Sequence, residues 1–273
     1  MQNKIMKILF SGDVAWDIGR KVFAAVLPEL EQEWGGFDFI IINCENAASN
    51  GRGMTDKIYK EFMELGVDGM TSGNHIWDKN VFYNILNSEF NVFRPANYPD
   101  ICPGRGCGVI TGKHGQRLGI LNIEGQVFMP PIDSPFFCAD KLLEDLRKQE
   151  GGKLPILVDF HAEATSEKKA VGYYLDGRVS AVLGTHTHIQ TADEQILPKG
   201  TAYMTDVGMT GAHGGAIGVK IESVMPRFLT GMPSRFEMCL DDPAFNGVVI
   251  ETDDNTGLAV KITRIFKRVE LEN

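Results

Sequence analysis

Short unbroken apolar runs alternate along this chain with amphipathic stretches, and glycine, proline and polar clusters punctuate them. Residues 5–10 form a β-rich run that gives way to Gly12. The 3.6-residue apolar period over 18–33 predicts a helix, and 37–43 reads as a second buried strand, so the first fifty residues predict β-α-β. A polar loop over 49–54 leads to Thr55, a helix N-cap for the amphipathic stretch ending at Gly66. A strand is expected over 69–72. The Pro- and Gly-rich stretch 91–108, with Arg94-Pro95-Ala96-Asn97-Tyr98-Pro99, excludes a long helix and predicts a shaped loop. Strands over 108–111 and 118–123, a Pro-containing loop at 128–135 and a helix over 139–148 follow. Runs 154–160, 179–183 and 202–205 read as core strands, and 247–269 as two strands around an Asp-Asp-Asn-Thr-Gly turn. With no linker, repeat or low-complexity tract, the expectation is one α/β domain over 1–273, with mixed sheets and helices outside.

Composition narrows the function classes. At 43% hydrophobic and 23% charged residues, the chain is neither disordered nor fibrous. Its 27 basic against 36 acidic residues give a formal charge of −9, which argues against a broad basic face for a nucleic-acid backbone. A membrane helix needs about 18–20 apolar residues in a row, and the longest runs here, 37–42 and 154–160, each carry an Asp. The N-terminus carries Lys4 and Lys7, but its apolar stretch ends at Phe10 without a small-residue cleavage site and reads as a strand rather than a signal peptide. The odd, scattered Cys44, Cys102, Cys107, Cys138 and Cys239 suggest neither a disulfide framework nor a zinc knuckle, and a cytoplasmic location is expected.

Candidate metal ligands fall just after predicted strands: Asp13 after the first, Glu45 and Asn46 after the second, Asn74 and His75 after the third, His161 after 154–160, His186 and His188 after 179–183. Ligands of α/β folds gather at the carboxyl ends of strands, so these distant groups can converge. Oxygen and imidazole donors together suit manganese, iron, zinc or cobalt. Each cluster also has a bland reading. Asp13 could cap the next helix, Glu45-Asn46 could be an exposed turn, and His161 a satisfied structural histidine. His186 and His188, two apart in an extended segment, would point to one side and could serve neighbouring metals, or form a surface pair. Recurrence of all five clusters at one topological place favours the metal reading.

Gly12-Asp13, Gly73-Asn74-His75, Asp159-Phe160-His161 and Gly184-Thr185-His186-Thr187-His188 resemble successive blocks of the calcineurin-like metallophosphoesterase superfamily. Asn43-Cys44-Glu45-Asn46-Ala47-Ala48, Arg94-Pro95-Ala96-Asn97-Tyr98-Pro99, Asp159-Phe160-His161-Ala162-Glu163-Ala164-Thr165 and Thr205-Asp206-Val207-Gly208-Met209-Thr210-Gly211 are more closely similar to the bacterial YmdB-like metallophosphoesterases, from about Lys7 to the chain's end. The resemblance implies a four-layer αββα sandwich of mixed sheets, a dinuclear metal centre and phosphodiesterase activity on cyclic nucleotides, with 2′,3′-cyclic nucleotides prominent. The wider superfamily has Asp-x-His in its first block, whereas here the His position is Ala15. The resemblance gives the bridging place to Glu45 and lets the Asn46 amide stand in for the missing imidazole. It implies one metal held by Asp13, Glu45, Asn46 and His188, and another by Glu45, Asn74, His161 and His186, with iron or manganese foremost and zinc or cobalt as substitutes.

Two such ions about 3.5 to 4 Å apart can share a hydroxide, bind phosphoryl oxygens and stabilise in-line displacement, so attack by metal-held hydroxide is expected. His75 would stabilise the transition state or protonate the departing alkoxide, or else merely bond a carboxylate behind the ligands. Asp159, Asp193 and Asp206 could orient histidine nitrogens or be solvated turn residues. Arg94 and Arg105 could meet a substrate phosphate or be ordinary surface arginines, and 128–135 could wall the site or pack in the core. The expected partner is a small phosphodiester, with no membrane and no stable long nucleic-acid complex, while a homo-oligomer remains open. Two other functions fit the same residues: a phosphomonoesterase or protein phosphatase, and a regulatory nucleotide- or metal-sensing protein, against which the intact His75 argues.

Overall fold

The computed structural model describes residues 5–150 and 153–271. The strands form two six-stranded sheets. In the first, β1 (Ile5–Val14) lies between β2 (Phe39–Asn43) and β10 (Met209–Ala212), β3 (Gly69–Thr71) closes one side, and β11 (Pro243–Asp253) with β12 (Ala259–Arg268) closes the other. The second runs β4 (Cys107–Thr111), β5 (Arg117–Glu124), β6 (Ile156–His161), β7 (Ala181–Thr185), β9 (Ala202–Met204), β8 (Gln195–Ile196). The centre of each sheet is parallel: β10, β1, β2 and β3 in one, β5, β6, β7 and β9 in the other.

Three apolar layers make this an αββα sandwich. Ile8, Phe10, Phe39 and Ile41 meet Ile120, Leu157, Leu183 and Met204 between the sheets. The alternate residues Leu9, Ile40 and Ile42 pack outward on Val22, Phe23 and Val26 of α1 (Trp16–Trp34) and Phe62 of α2 (Asp56–Glu64). Leu121, Ile123, Val158 and Phe160 likewise pack outward on Leu143 of α4 (Pro135–Glu150) and Val171 of α5 (Thr165–Leu175). Successive strand residues point to opposite faces, so a sheet covered on both faces requires apolar residues at every step, which is why the runs are unbroken. Each large side chain so buried stabilises by about 1.5–3 kcal/mol.

Thr55 caps α2 as expected, its Oγ1 accepting from the Ile58 N–H at 3.4 Å. β1 extends past Phe10 to Val14, so Asp13 lies inside the strand rather than after it. Asp13 does not cap α1 either, since Ala15 occupies the cap position. Sequence periodicity misses α5, whose first turn Thr165-Ser166-Glu167-Lys168 is polar, as well as β8, β10, α3 (Tyr83–Ser88) and α6 (Ile221–Thr230), which are short or carry a proline. No described helix is long and apolar enough to cross a membrane.

Candidate metal centre

The carboxyl ends of β1, β2 and β3 face those of β6 and β7 across one edge of the sandwich. Glu45, after β2, places Oε1 3.0 Å from His161 Nε2 at the end of β6. The same imidazole nitrogen lies 3.1 Å from His186 Nδ1, so Glu45, His161 and His186 form a compact group able to hold a metal ion. Asp13 Oδ1 lies 3.9 Å from His161 Nδ1, while Asp13 Oδ2 accepts the His186 N–H at 3.1 Å. Beside them, Asn46 Oδ1 lies 3.2 Å from His188 Nε2, and the Asn46 amide is aimed by its Nδ2 donating to Gly51 O at 2.8 Å. Six of the seven expected ligands thus contact one another on this edge, and Asn74 stands in the chain between Gly73, which abuts His161 and Glu45, and His75, whose N–H donates to Glu45.

Their chemistry fits a cation. Asp13 Oδ1, Asn74 Oδ1 and His188 Nδ1 are buried without a hydrogen-bond partner, a costly state for protein atoms and an ordinary one for metal ligands. At Gly73 a Cβ would collide with His161 Nε2 and sit 2.5 Å from Glu45 Oε2, so only glycine lets the strand end approach the donors. Burial raises the Asp13 carboxyl well above the usual range, only partly offset by His161. Burial works in the same sense on Glu45, but the facing His161 outweighs it and keeps Glu45 ionised. Burial disfavours a charged His161, yet Glu45 and Asp13 raise its pKa regardless. Burial and the His161 charge press His186 down to about 3, and burial lowers His188, so both imidazoles are neutral and able to ligate.

His186 and His188 depart from the expected extended geometry. Both are left-handed, with φ 94° and 65°, a conformation costing on the order of 1–3 kcal/mol for a non-glycine residue. They converge through this local backbone twist, not through strand alternation. The Trp16 indole, at 6.5 Å between centroids, stands edge-on to His188. His75 is set apart from the ligands. Its N–H donates to Glu45 Oε2 at 2.9 Å, its Nδ1 lies 3.1 Å from Asp78 Oδ2, and its side chain is 24% exposed.

The nearby acids Asp159, Asp193 and Asp206 bond no histidine nitrogen directly. Asp159 touches no imidazole. It accepts from Thr185 Oγ1 (2.7 Å), Thr71 Oγ1 (2.5 Å) and Asn43 Nδ2 (2.9 Å), and Thr185 Oγ1 in turn lies 2.9 Å from His161 Nδ1. Asp193 serves Thr191 and Thr205 in a turn. Arg94 is neither a surface residue nor a phosphate ligand, because it is buried and its Nη1 donates to the carbonyls of Pro95, Ala96 and Tyr98. Arg105 stacks over the Phe90 ring at 4.1 Å. Phe128 is 89% exposed and part of neither a packed wall nor the core.

Sequence reasoning missed Glu163, whose Oε2 lies 3.3 Å from His186 Nε2. It also missed buried Glu124, which accepts from Tyr98 OH at 3.1 Å and pairs in register with His161. Burial pushes the Glu124 carboxyl up to about 7 against the pull of His161. Glu163 stands two residues after His161, a spacing that offered a signal. Glu124 offered none beyond its place at a strand end.

An αββα sandwich with buried carboxylate, amide and imidazole donors gathered at its strand ends defines a metallophosphoesterase. The chain belongs to the YmdB-like protein family, whose model matches residues 9–265. It is 47% identical, over 96% of its length and 97% of the relative's, to the 2′,3′-cyclic-nucleotide 2′-phosphodiesterase of Bacillus subtilis (strain 168). Among solved structures it resembles a hypothetical protein from Thermus thermophilus (TM-score 0.87, 41% identity, 96% of this chain and 99% of that one). It resembles equally a phosphatase from Mycoplasma pneumoniae (TM-score 0.87, 33% identity, 98% and 95% of the two chains).

Proposed function

We propose that this enzyme is a dinuclear metal-dependent phosphodiesterase that opens small cyclic nucleotides, 2′,3′-cyclic nucleotides foremost. The observations that support this are the compact Glu45–His161–His186 group and the buried, unpartnered Asp13 Oδ1, Asn74 Oδ1 and His188 Nδ1. The activity named for the Bacillus subtilis relative supplies the substrate class. Asp13, Glu45, Asn46 and His188 would hold one ion, and Glu45, Asn74, His161 and His186 the other, with iron or manganese foremost and zinc or cobalt as substitutes. When bound, such ions supply a nucleophile at neutral pH and Lewis-acid stabilisation of the phosphoryl charge.

The chain's own groups do the rest. Glu45 serves both positions, and its second oxygen also fixes the backbone of His75. With Nδ1 committed to Asp78, His75 offers Nε2 to the substrate, as imidazolium protonating the ribose oxygen that leaves phosphorus. The enzyme works in the cytoplasm, where nucleotides arising from RNA breakdown are available.

Elemental analysis of protein reconstituted with manganese or iron should return about two ions per chain. A value that stays at one overturns the shared role of Glu45. Asn74→Ala or His186→Ala should deplete one position more than the other.

Substrate size gives a second expectation. A chain of net charge −9 repels long polyanions, and a bound cation draws in a phosphate only at short range. Cyclic mononucleotides should therefore show a higher kcat/KM than internal linkages of an RNA about 20 nucleotides long at equal ionic strength, and the RNA should bind with a shallow salt slope. Efficient internal cleavage with steep salt inhibition would instead mark a nuclease. The second reading, a phosphomonoesterase, is favoured by the phosphatase description of the Mycoplasma pneumoniae structure. Turnover of mono-aryl phosphate above bis-aryl phosphate would establish it.

A further inference from the structure

We propose that the buried Lys168–Asp206 ion pair is a positioning device that sets the His186-Thr187-His188 segment, with its two left-handed histidines, for metal binding. The inference rests on the reading of these histidines as ligands. Lys168, on α5, and Asp206, in the turn before β10, are both 1% exposed. Lys168 Nζ donates to Asp206 Oδ2 at 2.5 Å and to Thr185 O at 2.7 Å. Asp206 Oδ2 also accepts from the Thr187 N–H at 3.2 Å and from Thr187 Oγ1 at 2.8 Å. One ammonium and one carboxylate oxygen thereby grip the backbone on both sides of His186.

The grip extends to the other half of the site. Asp206 Oδ1 accepts the Gly208 N–H at 2.8 Å, and Gly208 O accepts the Asp13 N–H at 3.0 Å. The Val207 N–H donates to Gly184 O at 2.8 Å, joining the same turn to the end of β7. A single network therefore spaces Asp13 against His186 and His188.

Stability alone is a poor reason for this arrangement. An apolar pair of similar volume generally serves a core as well as a buried ion pair does, because desolvation offsets the attraction between the charges. Left-handed non-glycine residues, in contrast, persist only where their surroundings over-determine them. Apart from Lys168, every partner of the Asp206 carboxylate belongs to the ligand segment or to the turn that meets Asp13. The pair touches no expected ligand atom, so it acts through the backbone and not on the substrate.

The test is the double variant Lys168→Met/Asp206→Leu, which removes both charges together and leaves neither buried alone. It should fold, with near-ultraviolet dichroism and a melting temperature close to the parent's. Its affinity for manganese should fall by about 10- to 100-fold, the usual cost of losing support behind a ligand. The cobalt-loaded variant should show altered d–d absorption, which a merely structural role would not move. Parent-like manganese affinity and cobalt spectrum in the folded double variant would overturn the clamp while leaving the metal centre intact. A parent that takes up no metal would overturn the reading beneath it as well. Should the double variant fail to fold, Thr187→Val decides, because it deletes a single bond to Asp206 at a part-exposed residue. It should lower manganese affinity several-fold, and no change would overturn the proposal.

Discussion

His75→Ala should retain its metals and lose roughly 10²- to 10⁴-fold in turnover of a cyclic nucleotide, the range expected for a positioned acid or base. Metal retention follows from the geometry, since the His75 contact with Glu45 is made by the backbone N–H, which alanine keeps. The side chain, held at Nδ1 by Asp78, is what the substrate loses. Leaving-group dependence identifies the role. A nitrophenyl diester departs as a stable phenolate and needs no proton, whereas a ribose alkoxide does. Near-normal hydrolysis of the activated diester with failure on the nucleotide marks proton donation. Equal losses on both would indicate electrostatic stabilisation of the phosphoryl group, and no loss on either, with metal content unchanged, would remove His75 from the mechanism.

Gly73→Ala should abolish metal retention at the position between Glu45 and His161, weakening binding by at least about 100-fold, and activity should fall with it. The added methyl carbon would overlap His161 Nε2 and lie 2.5 Å from Glu45 Oε2, inside any tolerable contact, and both neighbours are buried with little room to retreat. Metal content after dialysis, read beside near-ultraviolet dichroism to confirm folding, checks the outcome. A folded Gly73→Ala protein that still holds the parent's metal complement would show that no ion sits at this contact, and the ligand assignment would have to move.

Much of this site was legible before any fold was known. Asp13, Glu45, Asn46, Asn74, His161, His186 and His188 each stand at or near the end of an apolar run that forms a strand, which local hydrophobic pattern marks to within a few residues. Thr55 announced its helix cap through its side chain alone. Such features depend on a few neighbouring residues, so the chain order contains them.

The tertiary structure alone decided which strand ends face one another. β1, β2 and β3 belong to one sheet and β6 and β7 to the other, so the contact of Glu45 with His161 spans 116 positions and depends on the packing of two sheets. It decided that His186 and His188 are left-handed, which no extended pattern predicts. It also turned Arg94 inward onto carbonyls and set Lys168 beside Asp206. A lysine in a polar first helical turn reads as a solvated residue, because burial of a charge is set by what packs over it from distant parts of the chain. Sequence carries the periodicities that create elements. The distances that bring Glu45, His161 and His186 into one group arise only when those elements close on one another.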